Sequence, residues 1–220
     1  LGIAFDGDAD RIGAVDEQGE VIYGDQLLIV LGRDAVRRFG PGIPVIFDVK
    51  CSETLPQALA AAGARPEMWK TGHSLIKARM RELGAPLAGE MSGHMFFGGD
   101  WFGFDDALFA AARLLEIVST GRGGLATLLA DIPRTATTPE IRVDCSEDHK
   151  FRLVEKAARH FASRYPVNTI DGVRMTFPRG WGLIRASNTQ PMLVLRFEAA
   201  DQQSLNVYQT EVMDWLKQQS

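Results

Sequence analysis

Apolar and polar positions along this 220-residue chain change period several times. It opens on Leu1-Gly2-Ile3-Ala4-Phe5, an apolar run of strand length. Residues 12 to 23 alternate around Asp16-Glu17-Gln18-Gly19-Glu20, which predicts a hairpin continuing from the preceding loop. Helical and strand patterns then take turns. Helices are expected near Gln26 to Arg38, Thr54 to Ala62, Ser74 to Leu83 and Asp105 to Thr120, with strands at Val45 to Val49, near Glu67 to Trp69 and running into Gly89. That alternation predicts a mainly parallel sheet covered by helices. After Ile132-Pro133-Arg134-Thr135 the order changes. Residues 138 to 143, 173 to 177, 181 to 186 and 192 to 198 read as strands, with helices near Asp148 to Arg164 and Ser204 to Gln218. The expected fold class is α/β: a mainly parallel three-layer α/β domain followed by a smaller α+β domain, with an N-terminal remnant strand and hairpin. The boundary falls at Pro133 to Pro139. The chain shows no internal repeat or low-complexity tract.

Composition narrows the function classes. At 45% hydrophobic with four Trp, the chain can bury a substantial core in one or two domains. A net charge of -4 argues against a nucleic-acid footprint. No apolar run reaches the roughly 18 residues of a membrane span. Cys51 and Cys145 are too few and too far apart for a disulfide framework, so a reduced, cytoplasmic location is expected. Leu1 falls inside an apparent strand, which suggests a chain cut from something longer.

Asp6, Asp8 and Asp10 follow the first apolar run at alternate positions and are closed by Arg11. Alternate acids in a tight loop converge on a hard cation such as Mg²⁺, Mn²⁺ or Ca²⁺, whereas zinc prefers His and Cys. Their mutual repulsion calls for a counter-charge, either a metal or Arg11. An EF-hand reading aligns Asp6, Asp8, Asp10 and Glu17 with loop positions 1, 3, 5 and 12, but Arg11 stands where a turn glycine is needed and the flanks read as strands. A haloacid-dehalogenase-type phosphatase also places an Asp-x-Asp loop after an apolar strand, although Asp10 sits where that family usually has Thr or Val. A solvated acidic turn is the remaining alternative.

Ligands of open α/β sheets lie beyond the carboxyl ends of strands. Lys50, after Phe47-Asp48-Val49, can meet an anionic ligand there or be a surface lysine. His73 lies in Lys70-Thr71-Gly72-His73-Ser74, where Ser74 can simply cap a helix. In Gly89-Glu90-Met91-Ser92-Gly93-His94, an extended path would point Glu90, Ser92 and His94 the same way. A carboxylate and a hydroxyl there suit sugar hydroxyls, and a histidine suits proton transfer. Finally, Arg185-Ala186-Ser187-Asn188-Thr189-Gln190-Pro191 combines a planar guanidinium with neutral donors, the inventory of a phosphate cup or of an ordinary polar hairpin turn.

Taken in series, the loop Asp6-Gly7-Asp8-Ala9-Asp10-Arg11, Lys50, Lys70-Thr71-Gly72-His73, Gly89 to His94 and Arg185 to Pro191 resemble the α-D-phosphohexomutase family, of the bacterial phosphomannomutase/phosphoglucomutase type. Their order and separation match along almost the whole chain. The resemblance implies a four-domain enzyme with a central cleft to which each domain donates a loop. Residues 1-23 would end domain two with the metal-binding loop, 24-133 would be the sugar-binding domain three, and 134-220 the phosphate-binding domain four. The phosphorylated serine would lie outside this chain. In the family mechanism phosphoserine donates to a sugar monophosphate, the bisphosphate reorients, and its other phosphate returns to the serine. By resemblance, Asp6, Asp8 and Asp10 hold Mg²⁺, and Arg11, Lys50, His73 and His94 serve the transfer. Glu90 and Ser92 bind sugar hydroxyls, and Arg185, Ser187, Asn188 and Thr189 hold the phosphate that is not reacting. The implied ligands are hexose phosphates and hexose 1,6-bisphosphate, with mannose and glucose as the sugars. Neither nucleic acid nor membrane is an expected partner, and a monomer is expected when the enzyme is intact. A haloacid-dehalogenase-like phosphatase and a non-catalytic phosphosugar-binding module remain as alternatives.

Overall fold

Alternation at the N-terminus buries Ile12 and Ala14 and leaves Gly13 outside, so the first small sheet has one face toward the core. The computed structural model describes residues 1–121 and 123–219. It begins with β1 (Gly2–Phe5), β2 (Ile12–Val15) and β3 (Val21–Ile22), an antiparallel sheet in the order β1-β2-β3. Then comes α1 (Gly24–Phe39), which buries Leu27, Leu28, Ile29, Val30, Leu31 and Ala35. Asp25 in its first turn and Arg37 and Arg38 in its last complement the helix dipole.

Next come β4 (Pro44–Asp48), α2 (Thr54–Ala61), β5 (Arg65–Trp69), α3 (His73–Leu83), β6 (Leu87–Gly89), β7 (Met95–Phe97), α4 (Ala107–Thr120) and the short α5 (Leu125–Leu128). The sheet order is β5-β4-β6-β7, with β4 parallel to β5 and β6 and only β7 antiparallel. Both faces of this sheet are covered. Val45, Phe47, Leu87 and Met95 pack with residues of α1, α2 and α4, while Ile46, Ala88 and Phe96 pack with Ile76 and Met80 of α3. Three layers result, which explains why the strands read as nearly continuous apolar runs. The strand at Met95–Phe97 has no counterpart among the expected elements.

Residues 134 onward form a separate compact unit. Its elements are β8 (Ala136–Thr137), β9 (Ile141–Asp144), α6 (Glu147–Ala162), β10 (Val167–Asn168), β11 (Val173–Phe177), β12 (Gly180–Ala186), β13 (Met192–Ala199) and α7 (Gln202–Lys217). The sheet is antiparallel, in the order β10-β11-β12-β13-β8, and β9 also pairs with β13. Met175, Phe177, Ile184, Leu195 and Phe197 share a core with Ala157 and Phe161 of α6 and Val212 and Trp215 of α7. The strand expected from 138 begins only at Ile141, and β8 is a separate short strand before it. Pro139 has no N–H for a ladder, and Thr138 instead gives its backbone N–H to Phe197 O and accepts Phe197 N–H on Oγ1, both at 3.0 Å.

Candidate active site

The acidic loop after β1 is folded back on itself. Ala9 adopts φ +57°, a left-handed conformation costly for a residue with a Cβ, and its carbonyl accepts the Ala107 N–H at 3.3 Å. One oxygen each of Asp6, Asp8 and Asp10 falls within 4.8 Å of the others. Arg11 supplies the counter-charge: its backbone N–H donates to Asp6 Oδ1 at 3.2 Å, and its Nε lies 3.1 Å from Asp6 Oδ2 and 3.6 Å from Asp10 Oδ1. Desolvation raises the Asp6 carboxyl, but the Arg11 N–H and guanidinium together with hydrogen bonds from Asp10 outweigh it and hold it below its ordinary value. Asp10 Oδ1 is buried with no hydrogen bond among the described residues. An all-oxygen donor set with an orphaned buried oxygen fits a hard divalent cation.

Backbone pairing brings this loop beside the turn between β6 and β7. Arg11 forms an isolated antiparallel bridge with His94, and Ile12 N–H donates to Gly93 O at 3.1 Å. The turn itself differs from the expected extended path. Gly93 N–H bonds to Glu90 O at 3.0 Å and Glu90 N–H to His94 O at 2.9 Å, which makes 90 to 94 a tight reversal with Gly93 at φ +99°. Glu90 and Ser92 still meet, because Ser92 Oγ donates to Glu90 Oε2 at 3.1 Å. His94 Nδ1 lies 3.2 Å from Asp105 Oδ2 and 3.8 Å from Asp10 Oδ2.

Glu90 is buried, and its Oε1 accepts the Gly72 N–H at 2.7 Å. Burial first, then the Asp48 charge, push its carboxyl above the ordinary value, partly offset by the Gly72 N–H, His94 and Lys50. Gly72, at φ +132°, caps α3 in the place considered for Ser74. His73, the first residue of that helix, is half-exposed and shares Asp105 with His94, its Nδ1 being 3.2 Å from Oδ2. Lys50 is buried rather than a surface lysine, with its Nζ 3.8 Å from Asp48 Oδ2.

Two carboxylates that sequence reasoning passed over organise this region. Asp48, fully buried at the end of β4, accepts Thr71 Oγ1–H at 2.9 Å, Met91 N–H at 3.1 Å and the Cys51 thiol at 3.1 Å, so it ties together three of the loops. The signal was a charge closing the apolar run Val45-Ile46-Phe47. Asp105 takes Lys77 Nζ at 3.2 Å on its other oxygen. Burial raises Asp105, but its own backbone N–H, Lys77 and His94 outweigh that and hold it below the ordinary value. Its neighbour Asp106 is the residue that caps α4, so adjacent acids of different roles were not separable by pattern.

In the second unit, Arg185 to Pro191 joins β12 to β13. Arg185 is buried, and its Nε and Nη2 both lie 3.1 Å from Asp171 Oδ2, which fixes one edge of the guanidinium. Ser187 Oγ accepts the N–H groups of Thr189 at 3.3 Å and Gln190 at 3.1 Å, leaving its own proton to give. Asn188 and Thr189 are exposed.

The profile described as phosphoglucomutase/phosphomannomutase, alpha/beta/alpha domain III, matches residues 23–136, and that of the C-terminal domain matches residues 140–214. The chain belongs to the phosphoglucomutase/phosphomannomutase family. It is 50% identical over 218 residues to a phosphomannomutase/phosphoglucomutase of Pseudomonas aeruginosa, covering 99% of this chain and 47% of that protein. A Burkholderia thailandensis protein of the phosphoglucomutase/phosphomannomutase family superposes with a TM-score of 0.87 at 43% identity, over 98% of this chain and 46% of that one. The Aspergillus fumigatus N-acetylphosphoglucosamine mutase, solved in complex with GlcNAc-6P and magnesium, shares the fold at a TM-score of 0.71 and 16% identity, over 96% and 47% of the two chains. The chain spans about half the length of the phosphomannomutase/phosphoglucomutase relatives it matches. Among the described residues, no helix is long and apolar enough to cross a membrane.

Proposed function

We propose that this chain supplies the metal loop, the sugar-binding turn and the phosphate cup of a phosphohexomutase that interconverts hexose 1-phosphate and hexose 6-phosphate, with mannose and glucose as the sugars. Residues 1-23 then end the family's second domain, 24-133 form the third and 134-220 the fourth. The observation that carries this reading is the Arg11–His94 bridge, which sets the three-aspartate loop directly beside the Glu90-Ser92 pair. A cation site next to a carboxylate and hydroxyl pair is what phosphoryl transfer to a sugar requires, since such catalysis rests on positioning and charge neutralisation.

Asp6, Asp8 and Asp10 would hold Mg²⁺, which neutralises phosphoryl charge when bound. Arg11 contacts phosphoryl oxygens once it exchanges its acid partners for them. Glu90 and Ser92 take sugar hydroxyls; His94 moves the hydroxyl proton, with Lys50 and His73 assisting at the same loops. Arg185, Ser187, Asn188 and Thr189 hold the second phosphate of the bisphosphate. The serine that carries the transferred phosphoryl group is assigned outside these residues, because Ser92 is committed to Glu90 in the turn read as sugar-binding and Ser187 to the amides of its own loop. The intact enzyme is proposed to be monomeric and cytoplasmic. Titrating the chain calorimetrically with glucose 6-phosphate and mannose 1-phosphate, with and without Mg²⁺, tests this reading. Binding without turnover is expected; no binding, or release of inorganic phosphate, overturns it.

A further inference from the structure

Lys150 lies in the charge-rich run Glu147-Asp148-His149-Lys150 at the start of α6, where a solvated lysine is the ordinary expectation. It is instead 1% exposed. Its ammonium meets Glu147 Oε1 at 2.7 Å, Ser187 O at 2.6 Å and Gln190 O at 3.0 Å, which uses all three of its N–H donors. Two of those acceptors are carbonyls of the Arg185 to Pro191 turn. Burying an ammonium is costly even when it is well paired, and an apolar side chain would attach the helix to the sheet at less expense. The charge therefore does something that packing does not need.

Peptide geometry shows what. No cis peptide bond occurs among the described residues, so drawing the Ser187 carbonyl inward to Lys150 turns the Asn188 N–H outward. Asn188 is exposed, and its N–H has no partner among the described residues. The second carbonyl, that of Gln190, precedes Pro191 and so withdraws no donor from the ligand side. Both oxygens that would repel an anion are held beneath the turn. Its outer side keeps the Asn188 amide, the Ser187 hydroxyl proton and the Asn188 and Thr189 side chains. A positive charge sits one peptide below, and its counter-ion Glu147 is mostly in water, where solvent weakens the neutralisation.

We propose that Lys150 is a positioning residue of the anion site at 185 to 191, holding the Ser187 and Gln190 carbonyls away from a bound phosphate and placing its charge under it. This rests on reading the turn as the phosphate cup. The test uses the 220-residue chain with inorganic phosphate and glucose 6-phosphate, followed by calorimetry and by the NMR signal of the Asn188 amide. Lys150→Met keeps an unbranched apolar stem, one atom shorter, and removes its donors and charge. The expected result is a rise in the phosphate dissociation constant of about tenfold or more, with loss of the phosphate-dependent shift at Asn188. Glu147→Gln, at an exposed position, should tighten phosphate binding a few-fold at low salt, and the gain should vanish at high salt. Unchanged affinity in a folded Lys150→Met chain overturns the proposal and leaves the cup standing. Should that variant fail to fold, unchanged low-salt affinity in Glu147→Gln overturns it. Absence of any phosphate response at Asn188 in the unsubstituted chain removes the cup itself, and the proposal with it.

Discussion

Glu90 shows how one buried carboxyl links stability to pH. Its proton is held more tightly in the folded chain than in the unfolded one, because burial and the Asp48 charge raise it. The stability it contributes is therefore full below the ordinary carboxylate range and is lost as pH rises through the raised value. Glu90→Gln should flatten the decline in melting temperature across that window and weaken sugar-phosphate binding while leaving inorganic phosphate binding intact; an equal loss for both ligands would contradict a role at the sugar ring. Asp105 has the opposite sign, since its carboxyl is held low and its contribution is lost as pH falls. Arg185→Ala should weaken phosphosugar binding by about 1.5 to 3 kcal/mol, the range for a hydrogen bond to a charged group, and calorimetry with inorganic phosphate reads that loss directly. Asp8 is exposed and outside the core, so Asp8→Asn should leave the melting temperature nearly unchanged while reducing Mg²⁺ affinity, and an unchanged Mg²⁺ titration would refute the metal assignment.

At the level of elements, the first turn of α1 presses against the turn at 90 to 94. A Cβ on Gly24 would stand 2.4 Å from Glu90 O and 2.8 Å from Met91 O, both backbone atoms that cannot swing away. Gly24→Ala should therefore cost about 1 to 3 kcal/mol of stability, as overpacking does, and should displace the Glu90-Ser92 pair; denaturant melts and phosphosugar titration check both. β1 is the contrasting case. Among the described residues it pairs only with β2, and Phe5 remains 42% exposed, so its amides should exchange faster than those of β4, whose residues 45 to 48 are buried. Comparable protection of Ile3 and Ile46 would count against that. The long helices and central strands were legible in the sequence because their apolar period persists over several turns or residues. The Met95–Phe97 strand was not. Its pairing with Leu87–Gly89 depends on the reversal at 90 to 94, and a three-residue strand carries too short a period to announce itself.

For the molecule as a whole, the chain by itself should bind phosphosugar and form no glucose 6-phosphate from glucose 1-phosphate, even with Mg²⁺ and the activating bisphosphate. Robust turnover in that assay would show that a residue present here carries the phosphoryl group. Sequence alone determined the α/β and α+β architectures and singled out the five segments that resemble the family, because apolar periodicity and the spacing of acids, glycines and polar turns are local properties written along the chain. Tertiary structure decided the rest. It turned 90 to 94 into a hairpin, made Asp48 the tie between three loops, gave Asp105 to two histidines, and sent Lys150 from a charged helix start to the underside of the turn at 185 to 191. Each of those depends on a partner far away in sequence, and a lone Asp or Lys looks the same along the chain whether it is solvated or buried. Only packing removes the water, and the removal of water is what gives those charges their partners and their roles.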